Sequence, residues 1–236
     1  MRTRCSPVSG SGRPPERANK SLQPTRYAPL RGRLNRMPFG GLVVLLECDG
    51  EDHRMDVTSE MTSSSLVELL RLLDEAEIDL WLDGGWGVDA LLGTQTRPHK
   101  DVDIVVRVTD VPKVQEILGR RGFAVRQGTP LNSFVLADGS GLEVDVHAVT
   151  FDGEGNGVYR MENGEDWVYP AEGFSGQGVV DGRSVHCLTP TTQVFCHAYG
   201  YTPTEKDFQD MELLRKRFGV ELPPQLKPSP SESGLH

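Results

Sequence analysis

The sequence predicts an α+β fold, a small mixed β-sheet flanked by helices with a C-terminal helical part. Three observations point to it. Residues 79–82 and 102–108 read as strands on either side of a double-glycine turn and a short helix. Residues 142–149 alternate as a half-buried strand does, with Leu142, Val144 and Val146 on one face and Glu143, Asp145 and His147 on the other. Before and after these strands, Leu66, Leu69, Leu70 and Leu73, and then Met211, Leu214 and Phe218, recur at helical spacing.

Taken in order, residues 1–38 hold eight arginines against one acid, Glu16, with no periodicity. Such a segment buries too little apolar surface to order itself. Residues 1–60 are therefore expected to be a disordered extension, or sequence ahead of a true start at Met55 or Met61; an organellar transit peptide has a similar composition. The apolar run 39–46 suits a strand that nothing yet places. The folded unit is expected from about residue 61, its first helix capped by the serines 63–65. A short helix spans about 87–92 and ends at Gly93. Asp110 caps a helix with Val111, Val114, Ile117 and Leu118 on one face. Residues 123–126 and 133–137 read as strands, and 138–141 as a turn. Residues 151–182 are Gly-rich and acidic, with Trp167, Tyr169 and Phe174 embedded; a stretch of this kind is either functional or mobile. A short strand at 184–188 closes the main domain (61–188). Helices from Pro190 to about Tyr199 and from about Thr204 to Phe218 make up 189–222, and a Pro/Ser-rich tail, 223–236, is expected to be disordered.

Composition sets limits. The 236 residues allow one or two small domains. A formal charge of −9 argues against nonspecific nucleic-acid binding and suits cationic substrates. The four cysteines form no C-x-x-C pair and read as reduced and cytoplasmic. No apolar run is long enough for a membrane span.

The chemistry centres on residues 81–106. Asp101 and Asp103 lie two apart on a strand, so they share a face while Val102 and Ile104 point inward. Two carboxylates so close repel one another unless a divalent cation sits between them. Asp145, on the polar face of a later strand, supplies a third acid. Gly84 and Gly85 leave backbone N–H groups bare at a helix start, which favours phosphate. Hard-cation ligands beside a phosphate cradle are the equipment of phosphoryl or nucleotidyl transfer.

These residues resemble the nucleotidyltransferase fold shared by DNA polymerase beta and antibiotic-modifying enzymes. The likeness is nearest to the lincosamide nucleotidyltransferases and aminoglycoside 2″-adenylyltransferases. It is carried by Trp81-Leu82-Asp83-Gly84-Gly85-Trp86-Gly87-Val88-Asp89, Arg97-x-His99-x-Asp101-Val102-Asp103, Glu143-Val144-Asp145-Val146-His147, and Gly200-Tyr201 followed by Asp207 and Asp210. It covers residues 67–218, loosely over 151–182. The resemblance implies magnesium-dependent transfer of AMP from ATP to a hydroxyl of a small molecule, a lincosamide or an aminoglycoside. Asp101, Asp103 and Asp145 would be the catalytic acids and Mg2+ ligands, Asp145 also a candidate to take the hydroxyl's proton. Gly84 and Gly85 would hold the triphosphate, with Arg97 and Lys100 neutralising it. The partners are then a nucleoside triphosphate and a small acceptor, with no nucleic acid and no membrane, in the cytoplasm; a homodimer is compatible. The Trp-rich first block leans to lincosamides and the overall acidity to aminoglycosides.

Each residue has a plainer reading. Asp83 and Asp89 suit caps or structural hydrogen bonds as well as site roles, and Arg97 suits an ion pair as well as phosphate. His99 is better read as fixing its loop, His147 as orienting Asp145, and Trp81 and Trp86 as core. Lys206, Asp207 and Asp210 default to a solvated helix face, while the match from Gly200-Tyr201 to Asp210 also allows an acceptor- or nucleotide-contacting role. The acids of 151–182, with Trp167 and Tyr169, would form a lid over a polyhydroxylated acceptor. His186, Cys187, Cys196 and His197 fit no common zinc spacing. Two rivals stand beside the main reading: an enzyme of this fold acting on tRNA or protein, and a nucleotide-binding regulator without activity.

Overall fold

The structure, a computed structural model, describes residues 32–36, 42–46, 60–129, 133–161 and 164–227. The chain divides into two compact units, Met1–Arg54 and Met55–His236. In the first, β1 (Gly32–Arg36) pairs antiparallel with β2 (Leu42–Leu46), so part of the 39–46 run is a strand. The other residues of 1–59 lie outside the described ones.

The second unit opens with α1 (Ser63–Glu75). Its N-cap is Thr62, one residue before the serines, and the Thr62 side chain accepts from the Ser65 N–H. Leu66, Leu69, Leu70 and Leu73 form its buried stripe. β3 (Leu80–Asp83) runs directly into α2 (Gly84–Leu92). The glycine pair, expected as a turn ahead of the helix, is instead its first turn. Asp83 explains this: it is the N-cap, and its carboxylate accepts from the Gly84 N–H at 2.7 Å. Gly93 ends α2 in the left-handed conformation. β4 (Asp101–Arg107) follows, then α3 (Val111–Gly119), which Asp110 precedes without a side-chain hydrogen bond.

β5 (Ala124–Gly128), β6 (Ser133–Ala137) and β7 (Glu143–Phe151) complete one side of the sheet. Residues 151–182 are neither a long loop nor a simple lid. They hold β8 (Gly157–Arg160) and β9 (Asp166–Tyr169), a 3-10 turn at Ala171–Ser175, and β10 (Gly176–Val180). The reason is apolar: Tyr169 is buried with Val105, Val149 and Leu188, and Trp81, Trp167 and Phe174 pack against that group. β11 (Arg183–Cys187), α4 (Pro190–Tyr199) and α5 (Glu205–Phe218) end the fold. A last turn, Pro224–Leu226, buries Leu226 against Met211 and Leu214, so the first residues of the expected tail are packed.

The sheet is larger than expected, nine strands. Its path is β10-β11-β3-β4-β7-β6-β5, with β8 and β9 branching from β7. It is mixed: β11–β3 and β4–β7 are parallel and the other pairs antiparallel. Val102, Ile104 and Val106 of β4 face the main core with α1 and α3. The alternate residues, Asp101, Asp103 and Val105, face the opposite side, where Val105 joins the smaller aromatic cluster beneath the acids.

Candidate active site

Register sets the site. β3 pairs with β4 so that Asp83 lies opposite Asp103, and β4 pairs with β7 so that Asp103 lies opposite Asp145. Three aspartates thus form one row across three neighbouring strands, where facing side chains on one sheet surface stand about 5 Å apart. Asp101 and His147 share that surface, two residues along their own strands. Ligand atoms of Asp103, Asp145 and His147 lie within 4.8 Å of one another, the one such grouping of acids, histidines or cysteines among the described residues.

The backbone comes close to this row. Gly84 has φ +57°, and a Cβ there would fall 2.1 Å from Asp103 Oδ2. A Cβ on Gly85 would meet the His99 ring at 2.5 Å and the Arg97 guanidinium at 2.6 Å. Both positions therefore require glycine, one for contact with the acid and one for contact with the loop before β4.

The electrostatics follow from crowding. Burial raises the Asp83 carboxyl, and Asp103 adds to that while His147 opposes it. Asp145 is raised first by burial; His147 lowers it, and Asp103 and Asp101 raise it again. Asp101, at the exposed rim but partly desolvated by its neighbours, is raised by that desolvation and by Asp103, against the pull of Lys206. Burial works against charge on His147, but Asp103, Asp145 and Asp83 override it and push its pKa up to about 9. A divalent ion among them would displace its proton.

The loop before β4 is clamped by a relay. His99, buried, meets Asp89 Oδ2 through Nε2 at 2.5 Å, and Asp89 also accepts from Thr96. His99 Nδ1 lies 3.1 Å from Arg97 Nη1, and Arg97 donates to Asp210 of α5 at 2.8 Å. Arg97 is thus engaged by an ion pair, not pointed free at a phosphate. Lys100 is exposed on the same turn. Asp207 and Asp210 are not a solvated face: they are 1% and 2% exposed. Asp207 accepts from Tyr201 at 2.7 Å and from Thr204, and lies 3.0 Å from His197 Nδ1. That engagement leaves His197 part of a helix-end network. Cys187 is a core strand residue whose thiol burial pushes up to about 12.

Of the residues named from sequence, the fold brings together Asp101, Asp103, Asp145 and Gly84, with Gly85 one residue on. Three others join them: Asp83 in the acid row, where the sequence left a cap and a site role equally open, His147 in the cluster, where it was read as orienting Asp145, and Lys206 near Asp101. His147 was within reach, because period two places it beside Asp145. A cleft of about 210 Å³ between Trp86, Asp89, Thr94 and Val180 contains none of these acids except the already engaged Asp89.

A mixed sheet with paired acids on adjacent strands, facing a helix that begins in glycine, defines a nucleotidyltransferase. Within that class, the chain belongs to the aminoglycoside-2″-adenylyltransferase family, whose model matches residues 65–214. It is 29% identical over 157 residues to a lincosamide resistance protein of Staphylococcus haemolyticus, covering 66% of this chain and 96% of that protein. A 2″-aminoglycoside nucleotidyltransferase of Escherichia coli is 39% identical over 57 residues, 23% of this chain and 32% of that protein. Among solved structures, a lincosamide antibiotic adenylyltransferase with lincomycin bound aligns with a TM-score of 0.60 at 26% identity, covering 66% and 98% of the two chains. An aminoglycoside enzyme in complex with adenylyl-2″-tobramycin shares the fold, with a TM-score of 0.52 at 23% identity over 65% and 87%. No helix among the described residues is long and apolar enough to cross a membrane.

Proposed function

We propose that this nucleotidyltransferase moves AMP from ATP to a hydroxyl of a lincosamide-type antibiotic, in the cytoplasm where ATP is supplied. The observation that carries the reading is the facing of Asp103 and Asp145 on parallel β4 and β7, with the backbone of Gly84 against Asp103. The donor set fits a divalent cation, since carboxylates from two strands converge beside a position that a Cβ would fill. Bound by Asp101, Asp103 and Asp145, Mg2+ would neutralise the triphosphate and favour attack at the α-phosphorus.

The chain's own part is positioning and charge. The first turn of α2 offers its N–H groups to the triphosphate, from Gly85 onward, because Asp83 already takes the Gly84 N–H. Lys206 and Lys100 add positive charge at the rim. Asp145 takes the proton of the attacking hydroxyl. The hydroxyl oxygen bonds to the α-phosphorus, the bond from that phosphorus to the bridging oxygen breaks, and pyrophosphate leaves.

The acceptor assignment rests on two supports. The lincosamide resistance protein is matched along 96% of its length, the aminoglycoside enzyme along 32%. An aromatic wall also leads away from the site: His147 to Tyr159 at 6.0 Å, Tyr159 beside Trp167 across β8 and β9, then Trp167 to Phe195 at 4.9 Å. Such a wall suits a partly apolar acceptor better than a polycationic one.

The test is incubation of the full chain with ATP, Mg2+ and a mixed panel of lincosamides and aminoglycosides, read by mass spectrometry. A lincosamide gaining one AMP is expected. The Asp103→Asn variant should lose about 1,000-fold in kcat, equivalent to about 4 kcal/mol. Modification of an aminoglycoside alone would overturn the acceptor, and near-normal turnover by folded Asp103→Asn would overturn the site.

A further inference from the structure

The acids expected to hold metal were Asp101, Asp103 and Asp145, an all-oxygen set. Among the described residues, the grouping whose ligand atoms lie within 4.8 Å of one another exchanges Asp101 for His147. We propose that His147 Nε2 is itself a metal ligand, so that the inner cation position is a mixed nitrogen–oxygen site. This rests on the nucleotidyltransferase reading of the same site and specifies its ligands.

The geometry begins with β7. Alternation puts His147 on the surface that carries Asp145, and the β4–β7 register sets it opposite Val105, whose side chain offers it nothing polar. The imidazole reaches along the strand instead, and its Nε2 lies 3.9 Å from Asp103 Oδ1. That is too long for a hydrogen bond. It falls within the roughly 3–4 Å that separates two atoms sharing one coordination shell with bonds of about 2.1 Å. Tyr159 stands edge-on to the imidazole at 6.0 Å and bounds it on the far side. The histidine is half-buried, with side-chain exposure of 21%, so it is set into the site rather than waving above it.

The chemistry of the donor set fits a divalent ion. Mg2+ takes oxygen ligands and keeps much of its water. Imidazole raises affinity for the first-row transition ions, and two carboxylates with one neutral nitrogen leave a −2 set that balances a divalent charge. Asp101, at the exposed end of the same face, is left for a second, all-oxygen position shared with the triphosphate.

The experiment uses the full chain with Mn2+ and inorganic triphosphate, a probe that contains no nitrogen, and reads electron spin echo modulation of the bound ion. Nitrogen-14 coupling is expected, changing to the nitrogen-15 pattern in protein grown on [15N]histidine and vanishing in His147→Gln. Protein-bound Mn2+ without nitrogen coupling in the wild type would overturn ligation by His147. It would leave the transferase reading intact, since AMP transfer is measured separately. A spectrum identical to that of Asp103→Asn, with no protein-bound Mn2+, would overturn the inner site. Absence of AMP transfer alongside it would remove the transferase reading too.

Discussion

Gly84 has no side chain, and the space one would need is filled by the Asp103 carboxylate. Two separate costs meet at this residue. Its φ of +57° is left-handed, a conformation that costs a non-glycine residue about 1–2 kcal/mol. A Cβ 2.1 Å from Asp103 Oδ2 also leaves no room, so either the carboxylate or the helix start must move. Displacing a reacting group by about 1 Å costs on the order of 100-fold in rate. Gly84→Ala should therefore lower kcat by at least about 100-fold while lowering stability by only about 1–2 kcal/mol. Kinetics and thermal melts on one preparation check both. A variant with near-wild-type kcat would mean that Asp103 has slack in its placement. The glycine pair reads in the sequence as a turn suited to phosphate, and the structure makes it the first turn of α2. Its second duty, letting Asp103 approach, depends on β3 and β4 being neighbours, which no local pattern states.

At the scale of elements, α5 shows why part of the site region was hidden. Asp207 and Asp210 look like members of a charged helix face, and a helix of mean polarity gives no reason to bury them. Their partners come from elsewhere: Arg97 lies 113 residues before Asp210, and His197 is on α4. Asp207 completes a capping box with Thr204. Burial alone would raise its pKa, but hydrogen bonds from His197, Thr204 and Tyr201 outweigh it and hold the carboxyl well below the usual range. A folded value below the unfolded one, about 4, means that this network stabilises the protein fully above pH 4 and loses its contribution as pH falls further. Asp207→Asn should cost about 1–2 kcal/mol at pH 7. Its melting temperature should then fall less steeply than the wild type's below about pH 4. Parallel acid melts of the two proteins check the sign. By contrast, β7 was readable at once, because strict alternation from Glu143 to His147 requires only that one face be buried.

The whole molecule places chemistry where three apolar groups meet. The main core lies under β4 through Val102, Ile104 and Val106. The aromatic cluster lies above it at Val105, and the α4–α5 cluster reaches α2 through Val88. The acid row is fixed because each of its strands is gripped from below, and α2 is held from two sides by Trp86 and Val88. This explains why the individual strands could be read from sequence while the sheet order could not. β11 inserting beside β3, and β7 beside β4, are long-range pairings that hydrophobic period does not encode. The same anatomy makes a claim about where the second unit begins. Among the described residues, the buried groups that support the site begin at Met61, whose N–H donates to the His99 carbonyl at 2.8 Å. Met61 is therefore part of the machinery, and the cut must fall before it. A chain starting at residue 64 loses Met61 and the Thr62 cap and should melt several degrees below one starting at Met55, about 1 kcal/mol for the cap alone. Equal melting temperatures of the two chains would mean that neither Met61 nor the Thr62 cap holds this unit together.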